Sequence, residues 1–319
     1  MGEFELIDRI RSRVAAGPED SSVVIGIGDD GAVIRPEPGY DLVATTDTLV
    51  AGRHFSDGFP PAAIGHLALA VNLSDIAAMG AIPRWALLSL TLPEARADWI
   101  DGFLDGFLPL CESAGVTLTG GNIASGPLSI TVQVLGQVEP GKAVTRSGGL
   151  VGDRVVVTGT IGDAAGALEL GHMASGPGSL FNRLAYPVPR LSAGRCLAGR
   201  VHALADISDG LLADLGHLLG DGLGAELELA SLPTSRSLAD HFPEPQSCWP
   251  LQLAGGGDYE LIGLVPEQSE QLAVEACKQV DVELTVIGRV SKEPGIRCLR
   301  PDGSLFEHNR TGWDHFHGP

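Results

Sequence analysis

A chain of 319 residues, 44% hydrophobic and 19% charged, has the length for two packed domains and the balance of a folded, water-facing protein. Its 21 basic and 40 acidic residues leave a net charge of −19, which repels nucleic acid and anionic membrane and excludes both as expected partners. The same field opposes any phosphate-bearing ligand unless metal ions or backbone N–H groups offset it.

The N-terminus, MGEFELIDRIRSR, is charged and amphipathic with no apolar h-region, so no signal peptide is expected. No apolar run reads as long enough to span a bilayer, and the expected location is the cytoplasm. Cys111, Cys196, Cys248, Cys277 and Cys298 are scattered, with no CxxC among them, so neither a disulfide framework nor a zinc site is expected.

In chain order, residues 5–14 read as a short amphipathic helix, followed by a strand at 22–27 and the loop Gly28-Asp29-Asp30-Gly31. Further strands are expected at 32–35 and 41–46. A long small-residue helix covers 62–79 and stops at Gly80 before Pro83. Residues 85–92 alternate like a strand, 97–114 form a helix ending at Gly115, and 116–119 and 128–138 are strands with Gly120-Gly121-Asn122 between them. Glu139-Pro140-Gly141-Lys142 is a turn-rich linker, so the expected domains are 1–142 and 143–319. Beyond it a βαβ-like alternation resumes. It comprises a strand at 154–158, a helix at 164–170, a loop at 174–178, a helix entry at 187–190, strands near 225–229 and 261–265, a helix at 267–280 and a polar tail at 312–316. The class is α/β or α+β.

Gly26-Ile27-Gly28-Asp29-Asp30-Gly31 fits G-x-G-x-x-G, and Asp47 lies at a plausible distance for a ribose contact. A dinucleotide site needs a helix N-terminus after the glycines. Two carboxylates stand there instead, with Pro36 and Pro38 close behind, so the segment reads as a carboxylate loop for a hard cation or as a plain Asp-Gly turn. Neither a G-x-x-x-x-G-K-[ST] loop nor a kinase H-R-D with D-F-G occurs.

Three more acidic segments follow. Thr45-Thr46-Asp47-Thr48, expected at a strand end, offers hydroxyls and a carboxylate, although β-propensity alone accounts for the threonines. His54 lies seven residues after Asp47. Asn72-Leu73-Ser74-Asp75 puts a carboxylate in an otherwise apolar helix, where it requires a cation, a hydrogen-bonding partner or solvent. Asp206-Ile207-Ser208-Asp209-Gly210 opens a helix, with Ser208 or Asp209 an alternative N-cap. The runs Gly120-Gly121 and Gly255-Gly256-Gly257, read as following strands, let backbone approach phosphate closely. Acidic segments with glycine-rich backbone and few basic groups suit polyphosphate held mainly through several Mg²⁺ ions.

These segments resemble the thiamine-phosphate kinase family, of the superfamily that includes aminoimidazole ribonucleotide synthetase. The resemblance runs nearly end to end through Gly28-Asp29-Asp30, Thr46-Asp47-Thr48-Leu49-Val50, Gly52-Arg53-His54-Phe55, Asn72 to Ala81, Thr145-Arg146-Ser147-Gly148, Thr158 to Asp163, Asp206 to Leu211, Asp258-Tyr259-Glu260-Leu261 and Gly312-Trp313-Asp314-His315-Phe316. It implies a two-domain aminoimidazole ribonucleotide synthetase-like fold, with an N-terminal mixed sheet that pairs in a homodimer and a C-terminal α/β domain. It also implies phosphorylation of thiamine monophosphate to thiamine diphosphate by ATP, through direct Mg²⁺-assisted in-line transfer. Carried over by motif, Asp30, Thr45, Thr46, Asp47, Asp75, Asn122, Asp206 and Asp209 would hold magnesium. Gly121, Arg146 and Ser208 would contact ATP, and His54, Gly257 and Trp313 would lie at the substrate. No general base is implied, because the acceptor is itself an anionic phosphate.

Two positions depart from the family's pattern. The family usually has Gly-Gly-Asp where this chain has Gly120-Gly121-Asn122, and Gly-Gly-Glu-Asp where it has Gly255-Gly256-Gly257-Asp258. Alternative readings are a non-catalytic Mg-nucleotide-binding homologue or another synthetase of the superfamily. A selenophosphate synthetase is disfavoured by the absence of any cysteine before Cys111.

Overall fold

The computed structural model describes residues 2–56, 58–171, 179–308 and 312. Trp313, the polar tail beyond Gly312 and the expected loop at 174–178 lie outside the described residues. Two compact units emerge, one comprising Met1–Ile76 and Ala81–Gly141, the other Ala77–Gly80, Lys142–His172 and Gly176–Pro319.

The first unit runs α1 (Glu3–Val14), β1 (Val23–Ile25), β2 (Val33–Ile34), β3 (Asp41–Val50), α2 (Pro61–Ala78, its last residues in the second unit), β4 (Ile82–Leu92), α3 (Ala97–Ala114), β5 (Thr117–Ser125) and β6 (Ser129–Val138). Strands β3-β6-β4-β5 form one mixed sheet, with β4–β5 parallel and the other pairs antiparallel. One face buries Val43, Leu49, Ile130, Val132 and Val134, and the other exposes Leu42, Val50 and Ile82. Alternation along each strand produces this two-sidedness. Helices α2 and α3 approach closely because Gly65 and Gly106 carry no side chain. A Cβ at Gly65 would strike the Phe103 carbonyl, and one at Gly106 would strike the Ala62 carbonyl. By length and composition α2 is apolar enough to cross a membrane, contrary to the reading from sequence, yet 78% of it is buried in the fold, as befits a core helix.

The second unit runs β7 (Arg154–Thr158), α4 (Asp163–Glu169), α5 (Ser179–Ala185), α6 (Leu191–Leu197), β8 (Ala203–Asp206), α7 (Leu211–Leu219), β9 (Gly224–Glu228), α8 (Arg236–His241), α9 (Pro245–Ala254), β10 (Leu261–Val265), α10 (Glu270–Lys278), β11 (Leu284–Ser291) and β12 (Gly295–Leu299). Its sheet has the order β12-β9-β11-β7-β10-β8. Only β12–β9 is parallel, so the expected βαβ alternation resolves into a mainly antiparallel sheet. Val155 and Val157 face a core shared with α7 and α9, and Val156 faces a second core shared with α6 and α10. The sheet is therefore covered on both sides.

Three local expectations are corrected. Thr45-Thr46-Asp47-Thr48 is not at a strand end; it lies inside the ten-residue β3, paired throughout with β6. Gly120-Gly121-Asn122 lies within β5, beside a register shift against β4. Gly255-Gly256-Gly257 follows helix α9 rather than a strand.

Candidate active site

In the first unit, the loop Gly28–Gly31 leads into β2, not into a helix, in accord with the rejection of a dinucleotide fold. Gly28 has φ +121°, and a Cβ there would lie 3.1 Å from the Arg11 guanidinium. Asp29 and Asp30 line a cavity of about 790 Å³ together with Thr46, Gly121 and Asn122. Among the described residues, Arg11 is the only basic one lining it, and it is paired with Asp8 at 2.7 Å.

Alternation places neighbouring threonines of β3 on opposite faces of the sheet. Thr46 and Thr48 share the open face, where Thr48 meets Thr131 at 2.9 Å. Thr45 lies on the helix-covered face and donates its hydroxyl to the Asp75 carboxylate on α2. Asp47 follows Thr45 on that face by the same alternation. Thus the structure joins Asp30, Thr46, Gly121 and Asn122 around one cavity, and Thr45 and Asp75 in a separate contact.

Asp75 has no ion-pair partner among the described residues, and burial, opposed by the Thr45 hydrogen bond, pushes its carboxyl above the usual range. On the same helix, Asn72 donates Nδ2 to the Ala68 carbonyl at 3.1 Å, while its buried Oδ1 has no partner among the described residues. His54 sits in the turn after β3, and its Nδ1 accepts the Val50 N–H at 3.0 Å. That bond fixes the neutral tautomer with its proton on Nε2.

In the second unit, β8 ends at buried Asp206, and the chain turns through Ile207, Ser208 and Asp209 before α7. The segment after α9 pairs with this turn: Gly257 N–H donates to the Ser208 carbonyl at 2.9 Å, Tyr259 N–H to Ile207 at 3.0 Å, and Ile207 N–H to Glu260 at 2.7 Å. Asp206, Ser208, Asp209 and Gly257 are thereby brought together. Gly257 has φ +86°, a conformation that suits glycine, and Tyr259 takes φ +51°. Arg146 is exposed and takes no part in the ion pairs of the described residues. It follows Thr145, whose carbonyl accepts the Leu204 N–H of β8 at 3.1 Å.

Sequence reading missed Asp214. Neither Ser208 nor Asp209 caps α7; the N-cap is Gly210, without a side-chain bond. Instead Asp214 Oδ2 accepts the N–H groups of Ser208, Asp209 and Gly210, each at 3.1 Å. Burial, with nearby Asp209 adding to it, pushes the Asp214 carboxyl up to about 7 against the pull of those donors. A second unforeseen network surrounds Glu260. Its fully buried carboxylate accepts from Arg183 and Arg190 at 2.6 Å and from Thr158 at 2.7 Å. Beside it, Asp258 accepts the Gly162 N–H at 2.7 Å, and burial pushes its carboxyl up to about 7. In the sequence, Asp258 and Glu260 stood only within the motif Asp258-Tyr259-Glu260-Leu261, and Asp214 in no motif.

Among the described residues, no three His, Cys, Asp or Glu side chains converge into a ready-made metal cage within either unit. The chemistry present is a set of oxygen donors on glycine-rich backbone, with Asp75 half-buried and without a counter-charge among the described residues, and Asp209 raising the Asp214 carboxyl. Such groups fit a hard divalent cation.

The chain matches the model for AIR synthase related protein, N-terminal domain, over residues 28–138, and that for the C-terminal domain over residues 151–299. The thiamine-monophosphate kinase of Escherichia coli is 40% identical over 325 residues, covering 100% of this chain and 99% of its own. The crystal structure of thiamine-monophosphate kinase from Stenotrophomonas maltophilia is similar with a TM-score of 0.86 at 40% identity, over 96% of this chain and 98% of that one. AaThiL, solved in complex with AMPPCP and TMP, is similar with a TM-score of 0.76 at 33% identity, over 99% of this chain and 97% of its own. With two-domain architecture, motifs and full-length identity in agreement, the chain belongs to the thiamine-monophosphate kinase family.

Proposed function

We infer that this protein transfers the γ-phosphoryl group of ATP to the phosphate of thiamine monophosphate, giving thiamine diphosphate and ADP. The full-length 40% identity to the E. coli enzyme carries this reading. The site chemistry supports it through its oxygen-donor sets and its scarcity of basic groups. AaThiL, related at 33% identity, is solved with a nucleotide analogue and TMP together.

The acceptor is a phosphate monoester whose second pKa is about 6, so at neutral pH its oxygen is already ionised and no side chain need remove a proton. That oxygen attacks the γ-phosphorus, the bond from γ-phosphorus to the bridging oxygen breaks, and ADP leaves with the electron pair. The protein must bring two anions together in a molecule of charge −19. Magnesium, when bound, neutralises phosphate oxygens as they align. Asp30, Thr46 and Asn122 at the cavity, Thr45, Asp47 and Asp75 at the β3–α2 contact, and Asp206 at the end of β8 with Asp209 after it are the groups that would hold it. Ser208, Gly121 and the exposed Arg146 would orient ATP, with Arg146 adding positive charge at the phosphates. His54, through its Nε2 proton, and the backbone at Gly257 would orient the acceptor. Trp313, outside the described residues, would stack on the cationic thiazolium.

The protein is read as a homodimer through the open face of the β3-β6-β4-β5 sheet, where Leu42, Val50 and Ile82 stand exposed. It is read as a cytoplasmic protein with no membrane or nucleic-acid partner, in keeping with its acidic surface. Purified protein with ATP, Mg²⁺ and thiamine monophosphate should yield thiamine diphosphate, followed by chromatography. No product above background would sink the reading.

A further inference from the structure

The turn between β8 and α7 is unusual in how its backbone N–H groups are used. A loop leading into a helix N-terminus normally presents such donors to an anion. Here they are already taken: Ile207 N–H donates to the Glu260 carbonyl, and those of Ser208, Asp209 and Gly210 all converge on Asp214 Oδ2. The carbonyls of Ile207 and Ser208 accept from Tyr259 and Gly257. What the turn can offer a ligand is therefore the side chains of Asp206, Ser208 and Asp209. An anionic phosphate can approach those carboxylates only through a cation.

Helix geometry explains why Asp214 can do this. Side chains of a helix tilt toward its N-terminus, so a residue at the end of the first turn covers the chain one turn earlier. Asp214 N–H makes the first helical bond, to the Gly210 carbonyl at 3.0 Å, while its carboxylate folds back over the three preceding amides. Gly210 permits the turn at φ +125°; a Cβ there would come within 3.0 Å of the Ala254 backbone.

The geometry points to Asp214 as a positioning residue: by gathering the three amides onto one oxygen it fixes the directions of Ser208 and Asp209, beside Asp206 held in β8, and turns an anion-binding helix start into a cation-binding one. The inference rests on the phosphotransfer reading only for the identity of the ligand. The arrangement of the turn stands independently of it.

The test uses the full chain with Asp214→Asn and Asp214→Ala. Asparagine keeps one acceptor oxygen but loses the charge; alanine releases all three amides. Asp153→Asn is a control, since Asp153 is another buried carboxylate of this unit that accepts a backbone N–H, from Leu150 at 2.8 Å. Three readouts are taken: hydrogen exchange at the 208–210 amides, Mn²⁺ binding followed by electron paramagnetic resonance, and the Mg²⁺ dependence of thiamine diphosphate formation. Removing an outer partner of a metal ligand weakens affinity by about 10–100-fold. Asp214→Asn should therefore weaken Mn²⁺ binding about tenfold and raise the Mg²⁺ requirement in parallel. Asp214→Ala should also speed exchange at 208–210. Asp153→Asn should lower the Tm and leave Mn²⁺ binding unchanged.

If Asp214→Asn lowers the Tm like the control while Mn²⁺ affinity stays at the wild-type value, or if exchange at 208–210 is unaffected in Asp214→Ala, the inference falls. If both variants alter exchange and Mn²⁺ binding while the wild type makes no thiamine diphosphate, Asp214 keeps its role and the assignment of the reaction falls instead. Should Asp214→Ala not fold, Asp214→Asn alone decides through Mn²⁺ affinity.

Discussion

Asp75→Asn separates the stability of the fold from its function. The substitution removes a charge from a half-buried side chain, keeps its shape and retains an oxygen for the Thr45 hydroxyl. Burial raises the folded carboxyl above its ordinary value of 3.8, so the folded chain holds that proton more tightly than the unfolded chain. Stability from this group is full below the ordinary value and declines as pH rises through the folded one, so less of it remains at neutral pH. Asparagine never ionises. At pH 7.5 in EDTA the variant should therefore be more stable than wild type, by about 1 kcal/mol or a few degrees in Tm, as is usual when strain at a functional site is relieved. Mg²⁺ at ten times its Kd should add about 1.4 kcal/mol to the wild type and much less to a variant that lacks a ligand. Turnover in the variant should fall by about a hundredfold or more. Thermal denaturation with EDTA and with Mg²⁺, beside the product assay, reads all three effects. A variant that is less stable in EDTA, or that gains as much from Mg²⁺ as the wild type, would refute the reasoning.

Asn122→Asp adds a charge at the cavity lined by Asp30, and about 1 kcal/mol of added attraction should lower the Mg²⁺ concentration for half-maximal rate about fivefold. An unchanged requirement would remove position 122 from the metal site. Asp258 is held protonated by burial up to about 7 while the unfolded carboxyl ionises near 3.8, so its contribution to stability declines between those values and is flat above. The stability of Asp258→Asn relative to wild type should therefore grow by on the order of a few kcal/mol between pH 4 and pH 7.5; urea denaturation at both pH values that gave a constant difference would contradict this. Leu42→Asp puts a charge on the open sheet face, where Leu42 is 49% exposed, and should turn a dimer into monomers in analytical ultracentrifugation. A variant that sediments as a dimer would exclude that face.

Much of the site was legible in the sequence because its chemistry lies in contiguous motifs. Asp75 stood out as a carboxylate in an apolar helix, and Asp206-Ile207-Ser208-Asp209-Gly210 as acid where a helix begins. The errors have tertiary causes. Thr, Thr and Asp after residue 44 looked like the end of a strand, but ten consecutive pairs with β6 carry β3 on to Val50. The strand β11 escaped notice because a register shift between Val286 and Gly288 breaks its alternation. Gly120-Gly121-Asn122 resembled a loop, yet Gly121 is required inside β5, since a Cβ there would strike the Leu88 carbonyl of β4. Asp214 and the Glu260 network were hidden because their partners are backbone amides and distant arginines, which no local pattern announces.

The central claim is direct transfer of the terminal phosphoryl group of ATP to thiamine monophosphate. Protein, Mg²⁺, thiamine monophosphate and ATP labelled only at the γ-phosphorus should give thiamine diphosphate labelled in its terminal phosphate, one for each ADP formed, with no label on the protein and no product in EDTA. Label released as inorganic phosphate, retained on the protein, or left in ATP while the folded chain binds both substrates would contradict the account.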